Sequence, residues 1–105
     1  MNLSAVKDQP AGVIVGANFL VIDGKTIDVS WREAAILNRF IASLGAPVKR
    51  ANIMDLLFSD DPDGGPDESY VNRMVSQIRA KLRLYDLPLE IVSVYGIGWS
   101  MRRTS

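Results

Sequence analysis

The chain has 105 residues, one domain's worth, and its 48% hydrophobic and 23% charged content is that of a globular protein rather than a disordered one. It holds no cysteine and no histidine, which excludes disulfides, thiolate chemistry, zinc-finger frameworks, histidine metal sites and both Ser/His/Asp and Cys/His catalysis. Twelve basic side chains balance twelve acidic ones, but unevenly: residues 1–68 carry six Lys/Arg against ten Asp/Glu, and residues 69–105 carry six against two. A polyanionic partner is therefore expected to meet the C-terminal third.

Residues 1–10 are polar, end at Pro10 and are expected to form a flexible segment, with a single domain over 11–105. The near-apolar run from Ala11 to Ile22 is twelve residues, short of the roughly 20 of a membrane span. It also lacks the basic leader and small-residue cleavage site of a secretory signal. It reads as strands, and the chain as cytoplasmic with no membrane partner. Val13 to Val15, Phe19 to Ile22 and Lys25 to Val29 favour β structure, and Asp23-Gly24 is a two-residue hairpin signal because a type I′ turn needs positive φ at both centres.

Ser30-x-x-Glu33 predicts a capping box opening a first helix, with Ala34, Leu37, Phe40, Ile41 and Leu44 at helical spacing behind it. Gly45 and Pro47 end that helix. A second helix is expected from Arg50 to Phe58, with Ile53, Met54, Leu57 and Phe58 inward. The acidic stretch 59–68, with two prolines and two glycines, is a loop. Its Asp61-x-Asp63-Gly64 fails as a calcium loop, because position 12 falls on Asn72 instead of glutamate.

A third helix is predicted over about 69–84. On a wheel Met74, Val75, Ile78 and Leu82 all fall within about 60° of Val71. Opposite them stand Arg73, Ser76, Gln77 and Ala80, with Asn72, Arg79 and Arg83 on one flank and Lys81 on the other. A small polar centre with cations around it is what a major groove admits: close approach, hydrogen bonds to base edges, and charges for phosphates. After Pro88, Leu89 to Val94 alternates as a strand, Tyr95-Gly96-Ile97-Gly98 turns, and Trp99-Ser100-Met101 returns. The Gly-x-Gly lacks the third glycine and the helix of a dinucleotide fingerprint. No nucleotide site, cofactor or metal is expected, and no catalytic pair is visible.

The order of these elements is α+β, a winged helix-turn-helix with short N-terminal antiparallel strands, three helices and a C-terminal β-hairpin wing at 91–101. From about Phe19 to Met101 the chain resembles the DNA-binding effector domain of OmpR/PhoB-type response regulators. Val29-Ser30-x-x-Glu33-x-x-x-Leu37 resembles that family's first helix, and Val48-Lys49-Arg50-x-x-Ile53 the start of its second. Val71-Asn72-x-x-Val75-Ser76-x-Ile78-Arg79-x-Lys81-Leu82 resembles its recognition helix, and Ser93-Val94-Tyr95-Gly96-Ile97-Gly98-Trp99 its wing.

The resemblance implies a sequence-specific transcriptional regulator of double-stranded DNA, not an enzyme. It places Arg73 and Gln77 at base edges, Ser76, Arg79 and Lys81 at phosphates or the groove wall, Ser93 at a phosphate and Tyr95 toward the minor groove. Ala80, on the same outward face, is counted with the DNA-binding residues, and Arg83, Arg102 and Arg103 join the expected phosphate contacts by their charge. Gln77 and Tyr95 stand where the family commonly has arginine, Met74 where it often has histidine, and Phe58 where it has tryptophan. The family further implies RNA polymerase contact through the 59–68 loop, with a plain solvated loop as the alternative, and a homodimer on tandem sites. Nothing in the sequence resembles the receiver domain of response regulators, so a stand-alone module is expected, an excised domain being the other reading. The competing function is a winged-helix adaptor that binds protein, favoured by the zero net charge and the missing arginines.

Overall fold

The computed structural model describes residues 12–62 and 65–104; the flexible segment expected at 1–10 lies outside them, as do Asp63 and Gly64 in the acidic loop. Three short strands, β1 (Val13–Val15), β2 (Phe19–Ile22) and β3 (Lys25–Asp28), form an antiparallel sheet in that order. The β2–β3 turn has φ of 49° at Asp23 and 82° at Gly24, the paired positive values that the type I′ signal demanded.

Helix α1 (Trp31–Ala42) begins on the capping box. Ser30 Oγ accepts from the Glu33 amide at 3.1 Å, and Glu33 Oε1 accepts from the Ser30 amide at 2.8 Å. The helix stops two residues short of Leu44, which was expected on its inner face and is instead 36% exposed. The reason is Gly45: at φ 85° it leaves the helical path, and its amide donates to the Met101 carbonyl at 2.8 Å.

Pro47–Lys49 then forms a strand, β4, that no sequence pattern announced. It pairs with β6 (Gly98–Arg103), which pairs in turn with β5 (Leu89–Val94), giving a second sheet in the order β4-β6-β5. Between these strands lie α2 (Arg50–Phe58) and α3 (Glu68–Leu84). On α2 only Ile53 is fully buried; Met54, Leu57 and Phe58, all expected inward, are half-buried because the helix lies at the edge of the core.

Among the described residues, one hydrophobic core joins both sheets and the three helices. Leu20 and Ile22 of β2, Ile36, Leu37 and Phe40 of α1, Val48, Ile53, Val71, Val75, Ile78 and Met101 all have 2% exposure or less. Side chains of this kind contribute roughly 1.5–3 kcal/mol each on burial. The N-terminal sheet also braces the C-terminal end of α3. Lys25 Nζ donates to the carbonyls of Tyr85 and Asp86 at 3.1 and 3.4 Å, satisfying acceptors that a helix end leaves open.

Candidate nucleic-acid interface

Helix α3 opens on Asp67, whose carboxylate accepts from the Ser69 amide at 3.1 Å. The Ser69 hydroxyl and amide together hold the Asp67 carboxyl below the ordinary range. Asp67 is therefore a helix cap rather than one more acid of the loop. Val71, Met74, Val75, Ile78 and Leu82 are buried, as their periodicity predicted. Arg73, Ser76, Gln77, Ala80 and Arg83 are exposed and Arg79 is half-buried. The outward ridge is thus low along Ser76 and Ala80, with arginines at either end.

Lys81 departs from its expected place among the phosphate contacts. Its ammonium lies 2.9 Å from Glu33 Oε1 and donates to the Asp28 carbonyl at 3.2 Å, joining α3 to the first turn of α1 and the end of β3. Glu33 is 5% exposed. Burial works to raise its pKa, but hydrogen bonds from the Ser30 amide and from Lys81, with the lysine's charge, outweigh that and hold it below 4.5. The wheel gives a flank, not a partner, and Lys81 is the residue whose flank faces α1.

On the other flank of α3 the wing rises from β5 and β6. Ser93 is exposed, and Tyr95, at 97% exposure, stands at the tip beside Gly96 with φ 75°. The root of the wing is clamped. A Cβ on Gly98 would lie 2.2 Å from the Val48 carbonyl oxygen, so only glycine lets β6 pass β4 this closely. Next to it Arg50 stacks 4.7 Å over the Trp99 ring and donates Nε to Asn72 Oδ1 at 3.2 Å, linking wing, α2 and α3. Lys49 is exposed, and no side chain caps the α2 amides beside it. The fold, not their local pattern, sets Lys49 and Arg50 beside the wing. Arg102 and Arg103 move the other way: they pair with Glu90 and, at 3.1 Å, with Asp23, at the end of β6 remote from the tip. Five strand residues at about 3.3 Å each separate Gly98 from Arg103. These two arginines are thus engaged in ion pairs at the end of the hairpin away from its tip.

The first turn of α1 borders the outward ridge of α3. Arg32 is enclosed by aromatic faces, its guanidinium 4.9 Å from the Trp31 ring, 5.3 Å from Phe58 and 5.8 Å from Tyr70. Nη1 donates to the Tyr70 hydroxyl at 3.1 Å, while the buried Nε has no hydrogen-bond partner. Phe58 meets Tyr70 edge-on at 5.4 Å. Arg32 thus ties the ends of α1, α2 and α3 through π contacts rather than an ion pair. Between this group and α3 runs a cleft of about 590 Å³, with Trp31 and Arg32 on one side and Gln77 and Ala80 on the other.

Residues 24–101 match the family model described as "Transcriptional regulatory protein, C terminal". The chain belongs to this family. The regulator domain also superposes on solved winged-helix structures. The DNA-binding domain of the response regulator AdeR, in complex with an intercistronic region, has a TM-score of 0.74 at 18% identity, over 91% of this chain and 98% of that one. The C-terminal domain of the nisin resistance regulator NsrR gives 0.69 at 19%, over 87% and 91%. The DNA-binding domain of E. coli CadC gives 0.69 at 21%, over 88% and 92%. At these identities the likeness establishes the fold, the α+β winged helix-turn-helix expected from the sequence. Comparison with curated protein sequences gives no match.

The family and fold are those of transcription regulators rather than enzymes. Among the described residues no group of three or more His, Cys, Asp and Glu side chains could hold a metal ion, and no helix is long and apolar enough to cross a membrane.

Proposed function

We propose that this regulator domain reads double-stranded DNA by sequence, with α3 in the major groove and the β5–β6 hairpin as the wing. The observation that carries this is the shape of α3's outer face, low at Ser76 and Ala80, with the amide of Gln77 beside them and arginines at 73 and 83. Arg73, Gln77 and Ala80 meet base edges; Gln77 is suited to bidentate pairing with adenine. Ser76, Arg79 and Arg83 face one stretch of backbone, and Lys49, Arg50 and Ser93 the stretch beneath the wing, whose Tyr95 reaches the adjacent minor groove. Lys81 leaves the contact set and acts by holding α3 in place.

About four neutralised phosphates give a slope near −3.6 in log K against log salt. The test is selection of genomic fragments bound by the purified domain. An enriched motif, with binding that weakens as salt rises, is the expected result. Absence of both motif and salt-dependent binding would hand the site to the protein-binding adaptor reading.

A further inference from the structure

A helix with its side chains is about 10–12 Å across and the major groove about 12 Å wide, so a helix seated there meets both walls. On the wing flank the chain presents Lys49 and Arg50. On the other flank Lys81 is drawn back to Glu33 and Arg32 is enclosed by three rings, which leaves Arg73 at one end. Facing the middle of the ridge is Trp31 instead. It is 60% exposed and looks across the cleft at Gln77 and Ala80. Tryptophan is on average one of the more buried residues, and here most of it is left open to solvent. The ring is nonetheless held: Arg32 stacks against it at 4.9 Å and fixes its orientation without covering it. Indole offers a single donor and no acceptor. A neutral donor on a fixed ring, backed by a cation and continuous with a base-reading edge, suits a phosphodiester oxygen and repels nothing that DNA presents there.

We propose that Trp31 is a backbone-contacting residue, and that the cleft between it and Gln77 receives the sugar–phosphate of the DNA strand opposite the wing. This rests on the DNA-reading role of α3. It gives the first turn of α1 a part in binding that neither its helical pattern nor its charge suggested, and it supplies the second groove wall in place of the lysine that Glu33 retains. Because the contact is neutral, it adds affinity without releasing counterions.

The test uses the intact chain and a random-sequence duplex at roughly 50 mM salt, where sequence-independent binding is strong. Trp99 is 5% exposed, so acrylamide quenching reports Trp31. Duplex binding, followed independently by anisotropy of labelled DNA, should lower the quenching constant several-fold. Trp31→Phe keeps a ring for Arg32 and loses the donor; Trp31→Ala loses both. Each should weaken binding about three- to tenfold with the salt slope unchanged, whereas Arg83→Ala should flatten the slope by about one unit. Thermal melts of the variants separate a binding loss from a folding loss. If the duplex binds and Trp31 stays as quenchable as in the free protein, or if both Trp31 variants bind like the parent, this inference is wrong while the reading of α3 stands. If no duplex binds at all, both fall.

Discussion

Replacing Lys81 by methionine should destabilise the fold rather than change DNA binding selectively. The substitution keeps the apolar stem and removes the ammonium, which leaves Glu33, 5% exposed, with the Ser30 amide as its remaining hydrogen-bond donor. Breaking a fully buried pair typically costs about 3–5 kcal/mol. Here the lysine side chain is 36% exposed, so water screens part of the interaction and about 2 kcal/mol is the appropriate size. For a domain near 100 residues that is a fall of roughly 10 °C in Tm. The cost should also depend on pH. The folded-state pKa of Glu33 lies below 4.5, so the pair's contribution is fully present above that value and is lost as pH falls through the folded pKa. The gap between parent and variant should therefore close in acid. Glu33→Gln should narrow the effect of Lys81→Met, and a double-mutant cycle over thermal melts at neutral and acid pH measures the coupling. A variant that melts like the parent at pH 7 would refute the structural role, and one whose salt slope also flattens by a full unit would show that the lysine serves a phosphate after all.

Three further outcomes follow from the geometry. Gln77→Ala should cost roughly 1–3 kcal/mol of discrimination at one base position while affinity for other sequences changes little, measured by binding to a panel of single-base variants of the enriched motif. Gly98→Ala places a methyl group 2.2 Å from the Val48 carbonyl and should either unpair β4 from β6 or prevent folding, visible as lost protection of the β6 amides in hydrogen exchange. Asp67→Ala should cost about 1 kcal/mol through loss of the α3 cap, and Asp67→Asn much less, by denaturant melts.

Much of this architecture is local and therefore visible in the sequence. The Ser30–Glu33 box, the Asp23-Gly24 turn and the Val71-to-Leu82 stripe are each decided by neighbours within a few residues, and each is found where its pattern placed it. What escaped notice depends on partners far along the chain. β4 has three residues, begins with proline and exists only because β6, some fifty residues later, offers it a ladder. Lys81 sits 48 positions from the carboxylate that claims it, and periodicity fixes a direction from a helix axis without saying what stands in that direction. The same holds for Trp31, which as a sequence letter is only the first residue of a helix; its place beside Gln77 comes from how α1 crosses α3.

The clamp at the wing root bears on which partner must yield. With Gly98 pressed against the β4 backbone and Arg50 bridging Trp99 and Asn72, the hairpin and α3 are tied together at the wing root. In the proposed mode of binding, this tie resists a change of span, so a duplex whose grooves are spaced differently would have to twist, bend or narrow to fit. The work of that deformation varies with base-step flexibility, so bases lying between the two contacts would influence affinity although no side chain touches them. Loosening the clamp should erase that influence first, leaving the directly contacted positions as selective as before.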